Sequence, residues 1–81
     1  MVIIYGMENC SYCKYAVALA QSYNMDYEYR DAKEWKETFL EQFPGAKTVP
    51  QIVWDGRHIG GYTEFAEEVE NTIGGYGDGS F

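Results

Sequence analysis

The chain has 81 residues, a formal net charge of −7 and two cysteines. That length limits it to one domain near the lower end of what folds unaided, and two cysteines are too few for a disulfide-dense secreted scaffold. The acidity argues against nucleic acid or an anionic membrane as partner, since both reward Lys and Arg. Val2-Ile3-Ile4-Tyr5 reads as a strand buried on both faces. It is shorter than the ~7-residue core of a signal peptide, and no stretch approaches the ~18 apolar residues of a membrane span. The expected location is therefore a reducing cytoplasm.

Gly6 to Asn9 reads as a loop. From Cys10 to Tyr23 the apolar positions Cys13, Ala16, Val17, Ala20 and Tyr23 recur at helical spacing. Asn9 is the expected N-cap and Asn24 the expected stop. Met25, Tyr27 and Tyr29 alternate with Asp26, Glu28 and Arg30, the pattern of a half-exposed edge strand. A second helix is expected over Ala32 to Phe43, with Trp35, Phe39, Leu40 and Phe43 on one side and Pro44-Gly45 ending it. Gln51 to Trp54 and Arg57 to Gly60 are short strands joined at Asp55-Gly56, a two-residue hairpin signal. Phe65, Ala66, Val69 and Ile73 mark a last amphipathic helix. A domain is expected over residues 1–73, followed by a glycine-rich flexible tail over 74–81.

The order is β-α-β-α-β-β-α. A helix between the first two strands implies a parallel crossover, and the hairpin implies an antiparallel pair. The expected fold is α/β: a mixed four-stranded sheet flanked by three helices, the thioredoxin-like arrangement.

The chemistry centres on Cys10-Ser11-Tyr12-Cys13, which follows a strand and opens a helix. A helix N-terminus offers unpaired N–H groups and a partial positive charge, which favour a thiolate over a thiol. A second cysteine one turn later can attack a mixed disulfide formed by the first. This context favours redox chemistry over metal binding. A structural zinc site needs four ligands, and only His58, on a separate strand, joins the two cysteines, so no metal is expected in the monomer. Two further stretches stand out. Thr48-Val49-Pro50 places a proline at a strand entrance, where a trans turn is the ordinary reading and a cis bond the alternative. Gly60-Gly61-Tyr62-Thr63-Glu64 is either a plain strand-to-helix turn or a place where a ligand carboxylate meets a helix N-terminus. His58 reads as a strand residue without a catalytic role, and Trp35 and Trp54 as core or sheet-face aromatics. Glu64, Glu67, Glu68 and Glu70 read as a solvated helix face.

These stretches together resemble the glutaredoxin family over residues 1–73, most specifically Thr48-Val49-Pro50-Gln51-Ile52 and His58 to Phe65. The resemblance implies a glutathione-dependent thiol–disulfide oxidoreductase that reduces protein disulfides and glutathione mixed disulfides. It implies that Cys10 is the exposed nucleophile and Cys13 the resolving thiol, with Pro50 cis. In this reading Tyr12 lines the glutathione groove and the Val49 backbone pairs with the glutathione cysteine. Gly61, Thr63 and Glu64 hold the γ-glutamyl carboxylate, Gln42 and Lys47 reach the glycyl carboxylate, and Thr48 and Tyr62 complete the set. Glutathione is then the co-substrate, the protein is a monomer, and ribonucleotide reductase is a candidate protein partner.

Two positions depart from the family pattern. Ser11 replaces the usual proline, as in members that hold a [2Fe–2S] cluster between two subunits, so a dimeric cluster carrier using Cys10 is one alternative function. Met7 replaces the usual Lys or Arg three residues before the first cysteine, and Glu8 beside it should push the thiol pKa up. A thioredoxin-like donor reduced by a flavoenzyme is the other alternative, against which Tyr12 and the Gly60 to Thr63 turn weigh.

Overall fold

The computed structural model describes residues 1–74, so residues 75–81 of the glycine-rich tail lie outside the described residues. Its elements are β1 (Val2–Gly6), α1 (Ser11–Ser22), β2 (Tyr27–Asp31), α2 (Lys36–Gln42), β3 (Gln51–Trp54), β4 (Arg57–Gly60) and α3 (Tyr62–Val69). A π-helical turn over Glu70–Gly74 continues α3 and takes in Ile73, expected to belong to the last helix. The strands form one sheet in the order β2-β1-β3-β4. β1 and β2 are parallel, whereas β1 with β3 and β3 with β4 are antiparallel. This is the expected thioredoxin-like sheet, with β2 on an edge. No described helix is long and apolar enough to cross a membrane.

The continuous apolar run of β1 is explained by its central place. Val2 and Ile4 pack with Ala16 and Ala20 of α1, Ile52, and Phe65 and Val69 of α3. Tyr5 points the other way and packs with Ala32, Phe39 and Phe43. Alternate side chains of one strand thus serve two cores, one under α1 and α3 and one under α2. Each fully buried side chain of this kind contributes about 1.5–3 kcal/mol. Tyr5 brings a hydroxyl into its core, and the Arg30 guanidinium donates to it at 2.8 Å.

The hairpin turn follows from Asp55-Gly56. Asp55 has φ 51° and Gly56 φ 81°, the paired left-handed conformation of a type I′ turn. Asn24, with φ 55°, ends α1 as expected. A bulge between Ile52 and Val53 shifts the β3–β4 register just beyond Pro50 and Gln51.

Three expectations are corrected. Cys10, not Asn9, is the N-cap of α1. β2 begins at Tyr27 rather than Met25, because the Ala20 carbonyl at the end of α1 takes the Met25 N–H and the first ladder bond runs from the Val2 N–H to the Asp26 carbonyl. The second helix begins at Lys36 rather than Ala32. Asp31 Oδ1 accepts from the Lys33 N–H at 2.8 Å, and that side-chain bond holds residues 32–35 in turns. The shortened helix buries Phe39, while Leu40 stays 47% exposed and Trp35 is also exposed. Trp35 instead stacks under the Arg30 guanidinium, 4.1 Å from the ring centroid.

Candidate active site

Cys10 has extended backbone (φ −102°, ψ 110°), as an N-cap requires, and its Sγ accepts from the Cys13 N–H at 3.1 Å. The capping role that Ser or Asp usually fills is taken here by sulfur. Cys10 and Cys13 are joined in a disulfide with their Cα atoms 5.2 Å apart. The two sulfurs sit in different surroundings. Cys10 is half-buried beside Val49, whose carbonyl oxygen lies 3.6 Å from Sγ. Cys13 is 1% exposed.

Cys13 fits because residue 6 is glycine. A Cβ on Gly6 would stand 2.9 Å from both Cys13 Cβ and Sγ, and 3.0 Å from the Tyr29 ring. Sequence reading treated Gly6 only as the start of a loop. Its one signal is a glycine ending a buried strand just before the cysteine pair. Burial, together with the charges of Asp31 and Glu8, raises the Tyr29 hydroxyl pKa above 10.0.

The Val49–Pro50 peptide bond is cis, and Pro50 is buried. The segment ahead of it is tied down by Gln51, only 9% exposed. Gln51 Nε2 donates to the Thr48 carbonyl at 3.0 Å. Gln51 Oε1 can only accept, so His58 Nε2–H donates to it across 2.8 Å. The imidazole rests against Phe43, ring centroids 4.6 Å apart. Gln51 and His58 thus brace the Thr48 to Pro50 segment, a link that sequence reading missed because each residue looks ordinary on its own strand.

At α3 the Gly61 N–H donates to Glu64 Oε1 at 2.9 Å, so the helix's own first-turn carboxylate caps it. Gly60 takes φ 124°, and a Cβ there would crowd Glu64 at 3.2–3.3 Å. Tyr12, 59% exposed, meets Tyr15 and Tyr62 with ring centroids 5.6 and 5.8 Å away.

Eight of the expected site residues line one cavity of about 190 Å³: Tyr12, Thr48, Val49, Pro50, Gly61, Tyr62, Thr63 and Glu64. Val49 brings that cavity to the Cys10 sulfur. Lys47 lines a neighbouring cavity of about 340 Å³ that shares Thr48 and Val49. Gln42, exposed at the last position of α2, lines neither. Among the described residues no group of three or more His, Cys, Asp or Glu converges as a metal site.

A family model described as Glutaredoxin matches residues 2–59. The chain belongs to the glutaredoxin family. Glutaredoxin 1 of Escherichia coli is 38% identical over 80 residues, covering 88% of this chain and 94% of that protein. Glutaredoxin 1 of Rickettsia conorii is 41% identical over 64 residues, and the match covers 74% of this chain but spans only 63% of that relative's length. The structure of reduced Escherichia coli glutaredoxin superposes with a TM-score of 0.76 at 34% identity, covering 90% of this chain and 96% of that one. The fold is that of a glutaredoxin, and the Cys10–Cys13 pair fits a CxxC active site.

Proposed function

We propose that this chain is a glutathione-dependent thiol–disulfide oxidoreductase. The observation that carries the reading is the asymmetry of the cysteine pair: one half-buried sulfur at a helix N-cap beside a groove, one fully buried sulfur a turn later. Reduced Cys10 attacks one sulfur of a substrate disulfide, forms a mixed disulfide and expels the other sulfur as a thiolate. Cys13 then attacks the Cys10 sulfur, releases the second substrate thiol and closes the Cys10–Cys13 disulfide. One glutathione thiolate opens that bond at Cys10. A second attacks the resulting mixed disulfide, leaving the dithiol and oxidised glutathione. Two electrons pass from two glutathiones to one disulfide.

The nucleophile must be ionised. With a pKa near ~8.5, a thiol is a few per cent thiolate at pH 7. A drop of about two units is worth about 2.7 kcal/mol, more than the ~0.3–1 kcal/mol that a helix end usually supplies. The Cys13 N–H bond to Cys10 Sγ is a further contribution, stronger to a thiolate than to a thiol. Glu8 opposes it.

Glutathione fits the groove by chemistry. The Val49 backbone offers one-residue strand pairing to a cysteinyl peptide, Tyr12 lines the groove with its aromatic ring, and Glu64 takes the Gly61 N–H at the start of α3, leaving the following first-turn N–H groups for a ligand carboxylate. Gln42 and Lys47 remain the proposed partners of the glycyl carboxylate by family pattern. The cluster-carrier and flavoenzyme-linked readings are not favoured; against the second, Tyr12, Gly61, Tyr62 and Thr63 line the groove itself. Protein disulfides such as that of ribonucleotide reductase are the proposed acceptors, in the cytoplasm and with the chain as a monomer.

The test is a coupled assay with glutathione, glutathione reductase and NADPH on a small glutathione mixed disulfide and on a protein disulfide. Cys10→Ser abolishes both activities. Cys13→Ser spares deglutathionylation and removes protein disulfide reduction. Equal loss from the two substitutions would refute the division of labour, and no turnover by the unmodified chain would refute the glutathione reading.

A further inference from the structure

One cavity of this acidic protein is lined by lysines and by no acidic residue, although Lys33 and Lys36 also line adjoining cavities with Glu8, Asp31, Glu34 and Glu37. Three of the chain's four lysines, Lys33, Lys36 and Lys47 but not Lys14, line the single cavity of about 340 Å³ beside the dithiol. No Asp or Glu lines it, although acidic residues outnumber basic ones 13 to 6 in the chain. Among the described residues none of these lysines forms an ion pair; the cations that do are the N-terminus, Arg30 and Arg57. The walls between the lysines are apolar and include Met7, Leu40 and Val49, with Met7 and Leu40 both exposed. The exposed Leu40, unexplained by packing within the chain, belongs to this wall.

The cavity's position gives it a use. Val49 lines both this cavity and the Tyr12 to Glu64 groove, and its carbonyl oxygen lies 3.6 Å from Cys10 Sγ. A polypeptide held to Cys10 through a mixed disulfide must pass Val49. One side of it then faces the groove and the other faces the lysine-ringed cavity. Apolar walls with a cationic rim fit a segment that pairs an apolar side chain with Asp or Glu. Nucleic acid fits poorly, because the net charge of −7 repels a polyanion over its whole length.

We infer that the Lys33, Lys36 and Lys47 cavity is a docking surface for acidic, apolar-bearing segments of protein disulfide substrates, next to the cysteine that Cys10 attacks. The inference rests on the thiol–disulfide reading above. It makes the chain selective at short range: the global charge repels acidic proteins at a distance, and the cavity accepts an acidic segment on contact. Selectivity should thus be clearest near 0.1 M salt, where the Debye length is about 10 Å and the distant acidic surface is screened.

The test uses the reduced full-length chain and two synthetic peptides, each with an internal disulfide. They are identical except that one carries Asp, Glu and Leu beside the attacked cysteine and the other Asn, Gln and Leu. Single-turnover reduction is followed without glutathione at about 0.1 M salt. Exposed ion pairs are individually weak, so the acidic peptide is expected to react about fivefold faster. Lys33→Glu/Lys36→Glu should abolish or invert that ratio while leaving turnover of a small glutathione mixed disulfide within about twofold. Arg57→Glu, at the far end of the β3–β4 hairpin, should leave the ratio unchanged. Equal rates for the two peptides with the unmodified chain would overturn the inference. So would an unchanged ratio in the double variant, or an equal loss on the glutathione substrate, which would assign the lysines to glutathione. Failure to reduce either peptide would instead sink the thiol–disulfide reading itself.

Discussion

Gly6 shows how one missing methyl shapes the site. Cys13 is buried against it, and a Cβ there would stand 2.9 Å from the Cys13 sulfur. Gly6→Ala therefore forces Cys13 or β1 to shift by several tenths of an ångström. Overpacking of this kind costs about 1–3 kcal/mol. The expected outcome is a lower melting temperature and a selective loss of protein disulfide reduction, because that activity needs Cys13 in line with Cys10. Deglutathionylation should fall less. A parallel loss of both activities, measured side by side, would show that Gly6 matters only for folding. The cysteines were legible in the sequence by residue type and spacing. Gly6 was not, because its contact with Cys13 arises only when β1 and α1 pack together.

At the scale of elements, the entrance to β3 depends on a side-chain bridge. Gln51 donates to the Thr48 carbonyl and accepts from His58, whose strand is paired with β3. Gln51→Leu keeps the volume and removes both bonds. Each such bond contributes about 0.5–1.5 kcal/mol net. A looser Thr48 to Pro50 segment should raise the KM for the glutathione substrate several-fold, with kcat changed less than twofold. A fall in kcat at constant KM, in steady-state kinetics, would count against a positioning role. The strands themselves were legible from alternation and from Asp55-Gly56, whose left-handed pair is local chemistry. The start of α2 was not. The aromatic spacing from Trp35 to Phe43 suggested a longer helix, but the Asp31 carboxylate captures the Lys33 N–H and delays it.

For the molecule as a whole, two cores share one central strand. Phe65 is fully buried and joins α3 to Val2, Ile4 and Ile52 beneath α1. Phe65→Ala should cost about 3–5 kcal/mol. That is a large share of the total stability of a domain this small, typically about 5–15 kcal/mol. The melting temperature should fall by more than about 10 °C in calorimetry, at about 4–8 °C per kcal/mol. A drop of only a degree or two would mean that α3 is not part of the cooperative unit. Apolar residues at helical spacing marked the buried sides of α1 and α3 in the sequence, but that the two helices share one core is a finding of the structure.

Element type, element order and the redox-competent cysteine pair were set by the sequence alone, because helix periodicity, strand alternation, turn residues and the CxxC spacing are all written within a few neighbouring positions. Only the tertiary structure decided what Gly6 makes room for, how Gln51 and His58 brace the Thr48 to Pro50 segment, and that Lys47 meets Lys33 and Lys36 beside the dithiol. Those facts depend on contacts such as Cys10 with Val49, 39 residues apart in the chain. Packing brings such residues together, and no local pattern encodes the pairing.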